Sequence, residues 1–237
     1  MVIHHYSKFL SNPQLFANSE GEDPFIHSQR IDQQLGLNTQ RVEAELRQKF
    51  SAYNCSDSSL KPYPAGEAWI GLGSDVLQTP YQEIFEALDY LKIHPPKHLV
   101  DLGAGYARLY YPLKALYPSC QFTGHEFVKE RVNEGKRALE ANAQNSEVLK
   151  KVDVLDPNYL LPKADCYFIY DFEKPKDISS ILNLFVEKFE KDDFFLIVKG
   201  KATRSMIHNR YPILFRPYGA IHFENISIYS SFFELCD

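Results

Sequence analysis

The chain has 237 residues, 44% of them hydrophobic and 24% charged, and 26 basic against 31 acidic side chains leave it at −5. That length and balance exclude a wholly disordered chain and fit one large domain plus an appendage, with enough core to need neither disulfides nor metal. The acidic balance disfavours a non-specific nucleic-acid binder, and the longest strongly apolar stretch, FFLIV at 194–198, is far short of the ~20 residues of a membrane helix.

The opening MVIHHYSKFLSNPQ has no continuous apolar segment of the secretory kind. Cys55, Cys120, Cys166 and Cys236 form no CxxC pair, so no metal site is expected. Cys120 and Cys166 sit in or beside apolar runs and read as small core residues of a reduced, cytoplasmic protein. Residues 12–25, NPQLFANSEGEDPF, read as loop. A helix is expected from about Thr39 to Phe50, with Val42, Leu46 and Phe50 on one face. KPYPAGEAWIGLGSD follows, rich in Pro and Gly and holding Trp69, the only tryptophan. Residues 1–79 therefore read as an N-terminal appendage, and 80–237 as the main domain.

At residue 79 the pattern becomes regular. Thr79-Pro80-Tyr81-Gln82 has the signature of a helix start, with Thr79 as cap and Pro80 first in the helix. Pro95-Pro96 ends that helix. Strands are expected at HLVDLG (98–103), QFTGHE (121–126), VLKKVDV (148–154), DCYFIYD (165–171) and FFLIVKG (194–200). Helices lie between them, marked by Leu109, Leu113 and Leu116, by Val128, Val132 and Leu139, and by ISSILNLFVEKFE at 178–190. The tail, 211–231, reads as two strands around a Pro-Tyr-Gly turn. Alternation of strand and helix predicts an α/β, Rossmann-like doubly wound sheet, mostly parallel, with one antiparallel strand in the edge region. Right-handed crossovers then place ligands at the carboxyl ends of the strands.

The chemistry concentrates in VDLGAGYAR at 100–108. Gly103 lets the chain turn sharply off the strand, and Gly105 lets the backbone approach a ligand. Asp101 ends the first strand just before the glycines, and Glu126 ends the second, where a carboxylate can accept both hydrogen bonds of a ribose diol. Asp101 would repel the pyrophosphate of a dinucleotide, and no Walker lysine is present.

On these residues the sequence resembles the class I, seven-strand S-adenosylmethionine-dependent methyltransferases. Asp101-Leu102-Gly103-Ala104-Gly105 matches the family's acid-x-Gly-x-Gly motif, with Ala107 where a third glycine is common. The resemblance covers about residues 79–231. It implies S-adenosylmethionine as cofactor, whose ammonium and sulfonium a carboxylate attracts. It puts Glu126 on the ribose, and Asp153 with the Val154 N–H on the adenine edge. Asp171 and Glu173, at the tip of the fourth strand, become the catalytic candidates, with Tyr170 and Phe172 as walls of the substrate pocket. Thr79 and Tyr81 stand where a preceding segment covers the cofactor, near Tyr63 and Trp69.

The stretch QTPYQEIFEAL, then GHEFVKER, is loosely similar to the protein-lysine members, which points to a protein side-chain amine as methyl acceptor. The Asn/Asp-Pro-Pro-aromatic motif and the Pro-Cys nucleophile of other subclasses are absent. The alternative is a ribose 2′-O or small-molecule methyltransferase, with Asp171, Lys199 and Glu224 at the places of a Lys-Asp-Lys-Glu set and Lys199 expected as a solvated strand end. A third reading is a protein that binds S-adenosylmethionine without turnover. The partner is accordingly an unnamed protein or small-molecule substrate; nucleic acid is disfavoured and no membrane is expected.

Overall fold

The computed structural model describes residues 11–17, 21–53, 70, 73, 77–171, 174–189 and 191–235. Cys55, Tyr63, Trp69, Phe172, Glu173 and Cys236 lie outside the described residues.

Seven strands form one sheet: β1 (His98–Leu102), β2 (Gln121–Glu126), β3 (Leu149–Lys151), β4 (Cys166–Tyr170), β5 (Phe195–Lys199), β6 (Ala220–His222) and β7 (Ile226–Ser230). Their order across the sheet is β3-β2-β1-β4-β5-β7-β6. Neighbours from β3 to β5 are parallel, while β7 runs antiparallel to both β5 and β6. The helices are α1 (Pro24–Leu35), α2 (Thr39–Tyr53), α3 (Tyr81–Tyr90), α4 (Tyr110–Leu116), α5 (Lys129–Ala141), α6 (Pro175–Phe189) and α7 (Lys201–Arg210).

Because successive strand side chains alternate faces, each strand feeds two cores. Leu99, Phe122, Phe168, Phe195, Ile197 and Ile228 pack with residues of α1 to α5. Val100, Tyr167, Ile169, Leu196, Val198 and Tyr229 pack with residues of α6 and α7. Cys120 and Cys166 are buried in the first of these cores. Ile31, Leu35, Val42 and Leu46 of the two N-terminal helices join the same core as α3 to α5. No helix among the described residues is long and apolar enough to cross a membrane.

Several elements differ from the sequence expectation. Residues 12–25 are not all loop, because α1 begins within them. Asp23 caps it by accepting from the N–H groups of Phe25 (2.9 Å) and Ile26 (3.1 Å), and Gly36 closes it in the left-handed conformation. The cap of α3 is Pro80 rather than Thr79, and it makes no side-chain hydrogen bond. β3 is three residues long, so Asp153 and Val154 lie beyond its end. Helix α7 follows β5, an element absent from the sequence reading. The tail's turn is also displaced. Residues 212–214 form a short 3-10 helix, and both closing strands come after Gly219, joined by a turn at 223–225.

Candidate functional site

The carboxyl ends of β2, β1, β4 and β5 lie side by side, and on the face of α1 to α5 they present Glu126, Asp101, Tyr170 and Lys199. Register sets this arrangement: Asp101 pairs with Gly124 and with Phe168, and Tyr170 pairs with Lys199. Strand alternation puts all four on one face with Phe122, Phe168 and Phe195.

After β1 the chain turns under two bonds to β2, in which the N–H groups of Gly103 and Ala104 both donate to the His125 carbonyl at 2.9 Å. Gly103 has φ 94°, and a methyl group added there would meet nothing within 4 Å, so open space lies over the turn. Gly105 is approached by the side-chain amide of the buried Gln78. Glu126 braces the turn, accepting from Gly105 N–H (2.9 Å) and from Val128 N–H (2.8 Å). Asp101 is buried, and its carboxyl is pushed up to about 8, first by desolvation and second by the Glu126 charge. The turn thus holds two buried acids, and Arg131 stands 3.9 Å from Glu126.

Asp153 and Val154 fall beside this pair, because the Val152 N–H donates to the Glu126 carbonyl at 2.9 Å. Asp153 accepts from Leu155 N–H at 2.9 Å in a local turn, and Val154 is buried. The structure therefore brings together Asp101, Gly103, Gly105, Glu126, Asp153 and Val154 at three adjacent strand ends.

Thr79 and Tyr81 are placed differently from the expectation. The Tyr81 ring is fully buried against Phe16, its hydroxyl donates to Asp32 (3.0 Å), and its N–H donates to Ser28 Oγ (3.1 Å). Tyr81 is a core residue rather than a cofactor wall, since neither its side chain nor its N–H is left for a ligand. Thr79 is buried, and its carbonyl accepts from Arg108 (3.1 Å).

Asp171 also has a use that its sequence position conceals. Its carboxylate accepts from the N–H groups of Ala202 (3.1 Å) and Thr203 (2.8 Å), capping the first turn of α7 from the next strand. Gly200 makes room for it, because a Cβ there would lie 2.2 Å from Asp171 Cγ. Glu173 lies outside the described residues. Lys199, expected as a solvated strand end, is instead buried. It pairs with Glu83 of α3, which also accepts from Asn225 Nδ2 (3.2 Å), and its ammonium stands 5.5 Å from the Tyr170 ring centroid. Burial pushes the Lys199 ammonium below its ordinary pKa, and the Glu83 bond works against that shift. Glu224 is exposed, and its carbonyl accepts from Arg204 (3.0 Å).

Sequence reasoning missed the frame behind the turn. Arg108, the last residue of VDLGAGYAR, forms a buried pair with Asp32 of α1. Tyr106 of the same turn donates to Glu43 Oε1 of α2 (2.8 Å), and Arg131 Nε donates to the same oxygen (2.8 Å). The presence of Arg108 in the motif was the available signal, but its partner sits in a helix that the sequence pattern did not reveal.

The sheet order and the antiparallel seventh strand agree with the Rossmann-like, mostly parallel doubly wound sheet expected from the sequence. No family model matches the chain, and no curated protein does. Among solved structures, it is similar to cofactor-bound Rv0187 from MTB, at 10% identity over 90% of this chain and 99% of that one, TM-score 0.48. It is similar to precorrin-6y C5,15-methyltransferase from Geobacter metallireducens GS-15, at 17% identity over 65% of this chain and 88% of that one, TM-score 0.47. A third is an RNA methyltransferase from Salinibacter ruber in complex with S-adenosyl-L-homocysteine, at 17% identity over 65% and 91%, TM-score 0.43. All three TM-scores lie below 0.5, so the functional reading rests on the site's own geometry.

Proposed function

We propose that the chain is an S-adenosylmethionine-dependent methyltransferase. The observation that carries the reading is the pair of buried acids at the glycine turn, Asp101 with its carboxyl pushed up to about 8 beside Glu126, under the open space over Gly103. A buried carboxyl with no ion-pair partner among the described residues favours a cationic ligand, and S-adenosylmethionine carries an ammonium and a sulfonium. Asp101 would hold its methionine end, Glu126 its ribose, and Asp153 with Val154 its adenine. When bound, the cofactor supplies a methyl group already activated as a sulfonium, so the chain has mainly to position an acceptor and remove its proton.

We infer that the acceptor is an oxygen nucleophile on a small molecule. Lys199 shares a face with Asp101 and Tyr170, and burial lowers its pKa, which favours the neutral amine that can take a hydroxyl proton. Glu83 fixes its position, and Tyr170 walls the approach. Asp171 acts in this reading as a positioning residue that anchors α7. The second reading, a protein side-chain amine as acceptor, is favoured by the Asp171 carboxylate, which follows Tyr170 in the chain.

Methyl-labelled S-adenosylmethionine offered with separated protein, RNA and small-molecule fractions of a cell extract tests both. Label in small molecules, lost by ~10²-fold or more in Lys199→Met with cofactor affinity kept, is the expected result. Label in protein that survives Lys199→Met would establish the amine reading instead. Absence of label in every fraction despite cofactor binding would leave a binding protein without turnover.

A further inference from the structure

On the opposite face of the sheet from Lys199 lies a cavity of about 280 Å³ between α7 and the β6–β7 hairpin. Its polar lining is Arg204, His208, His222, Ser227 and Tyr229. Every one of these side chains can donate a hydrogen bond, Arg204 is a cation and the two imidazoles can take positive charge, and no carboxylate among the described residues lines the space. In a chain of net charge −5 that is a selective concentration of donors.

The donors are also fixed. Arg204 Nη1 donates to the carbonyls of Phe223 (3.3 Å) and Glu224 (3.0 Å), which orients its guanidinium across the hairpin turn. No carboxylate pairs with Arg204 among the described residues. His208 is one helical turn beyond Arg204 and stacks on Phe215, with ring centroids 5.5 Å apart at 18°. His222 Nδ1 bonds Ser227 Oγ at 2.8 Å and stands edge-on to Tyr229.

We propose that this cavity is a second ligand site that binds the phosphate group of a small phosphomonoester. Donors reach it from a helix and from two strands, so they converge from several directions. A tetrahedral oxyanion with three terminal oxygens can satisfy that set, whereas a planar carboxylate engages it only in part. The volume exceeds what a bare phosphate needs, and the stacked Phe215 and His208 rings wall the remaining space for the esterified part. The site lies across the sheet from the glycine turn and stands whether or not methyl transfer does.

The test is calorimetric titration of the full chain with inorganic phosphate, with glycerol phosphate and with acetate, at low ionic strength in a buffer free of phosphate. Saturable 1:1 binding of both phosphates, tighter than acetate by about tenfold, is expected. Arg204→Gln and His222→Gln should each weaken it by about tenfold or more, and Asp101→Asn should leave it unchanged. Arg204 also holds the hairpin turn, so the exposed His208→Asn serves as a variant without that role, with a smaller loss expected. Tighter binding of glycerol phosphate identifies an ester as the ligand; equal binding identifies free phosphate, which would overturn the ester part of the proposal. Binding of phosphate no tighter than acetate, or binding that all three substitutions leave unchanged, would overturn the site.

Discussion

The glycine turn after β1 has two sides that treat buried charge in opposite ways. Behind it, each acid has a cation: Asp32 is paired with Arg108, and Glu43 with Arg131. In front of it, Asp101 is buried next to Glu126, and its carboxyl is pushed up to about 8. Elsewhere on the same sheet edge Asp171, which also follows a buried strand, is satisfied by the N-terminus of α7. The chain therefore compensates the acids that hold its framework, whereas Asp101, just before the glycine turn, has no cationic partner among the described residues. Uncompensated burial costs stability, and a cationic ligand is what would relieve it.

Breaking the rear side should have the largest effect. Arg108→Met would leave Asp32 buried without its charge partner, at a cost of about 3–5 kcal/mol by chemical denaturation. The front side should respond with the opposite sign. Asp101 has a raised pKa in the folded chain, so its contribution to stability is fully present below the ordinary value of 3.8 and is lost as pH rises toward about 8. Asp101→Asn should therefore stabilise the chain at pH 8 by about 1–2 kcal/mol, while cofactor affinity falls at least about tenfold. Loss of stability at pH 8 would mean that this acid, too, belongs to the framework. The smallest change is expected at the satisfied strand end. Asp171→Ala removes a helix cap, worth about 1 kcal/mol in thermal unfolding, with cofactor affinity unchanged; a fall in affinity would move Asp171 into the binding site.

These contrasts explain what the sequence made legible. β1, β2 and the turn between strand and helix were readable because an apolar run ending in Asp-x-Gly-x-Gly is a local pattern. The inner face of α1 carries His27, Ser28 and Asp32 along with Ile31 and Leu35, all buried. Polar residues that are satisfied by distant partners erased its apolar period, although Asp23-Pro24 and Gly36 mark its ends. Helix α7 buries only Thr203 and Ile207 and is capped by a residue 32 positions back in the chain from Thr203, so its own sequence says little. The closing hairpin was displaced because the apolar run at 212–214 reads as a strand, whereas its proline opens a 3-10 turn and Leu214 alone is buried. At the site, residue positions were legible but their compensation was not: Asp101 and Asp171 look alike in sequence and differ only in what the fold brings to them.

The central claim is that Asp101 awaits a cation, and proton-linked calorimetry tests it most directly. S-adenosylmethionine is titrated into the wild-type chain and into Asp101→Asn at pH 7, in buffers of differing ionisation enthalpy. Because Asp101 is largely protonated at that pH, binding of a cation beside it must expel the proton, and affinity should rise as pH approaches 8, by up to about tenfold per pH unit. The account predicts that the wild-type chain releases more protons on binding than Asp101→Asn does. Equal proton release and equal affinity in the two proteins would contradict it.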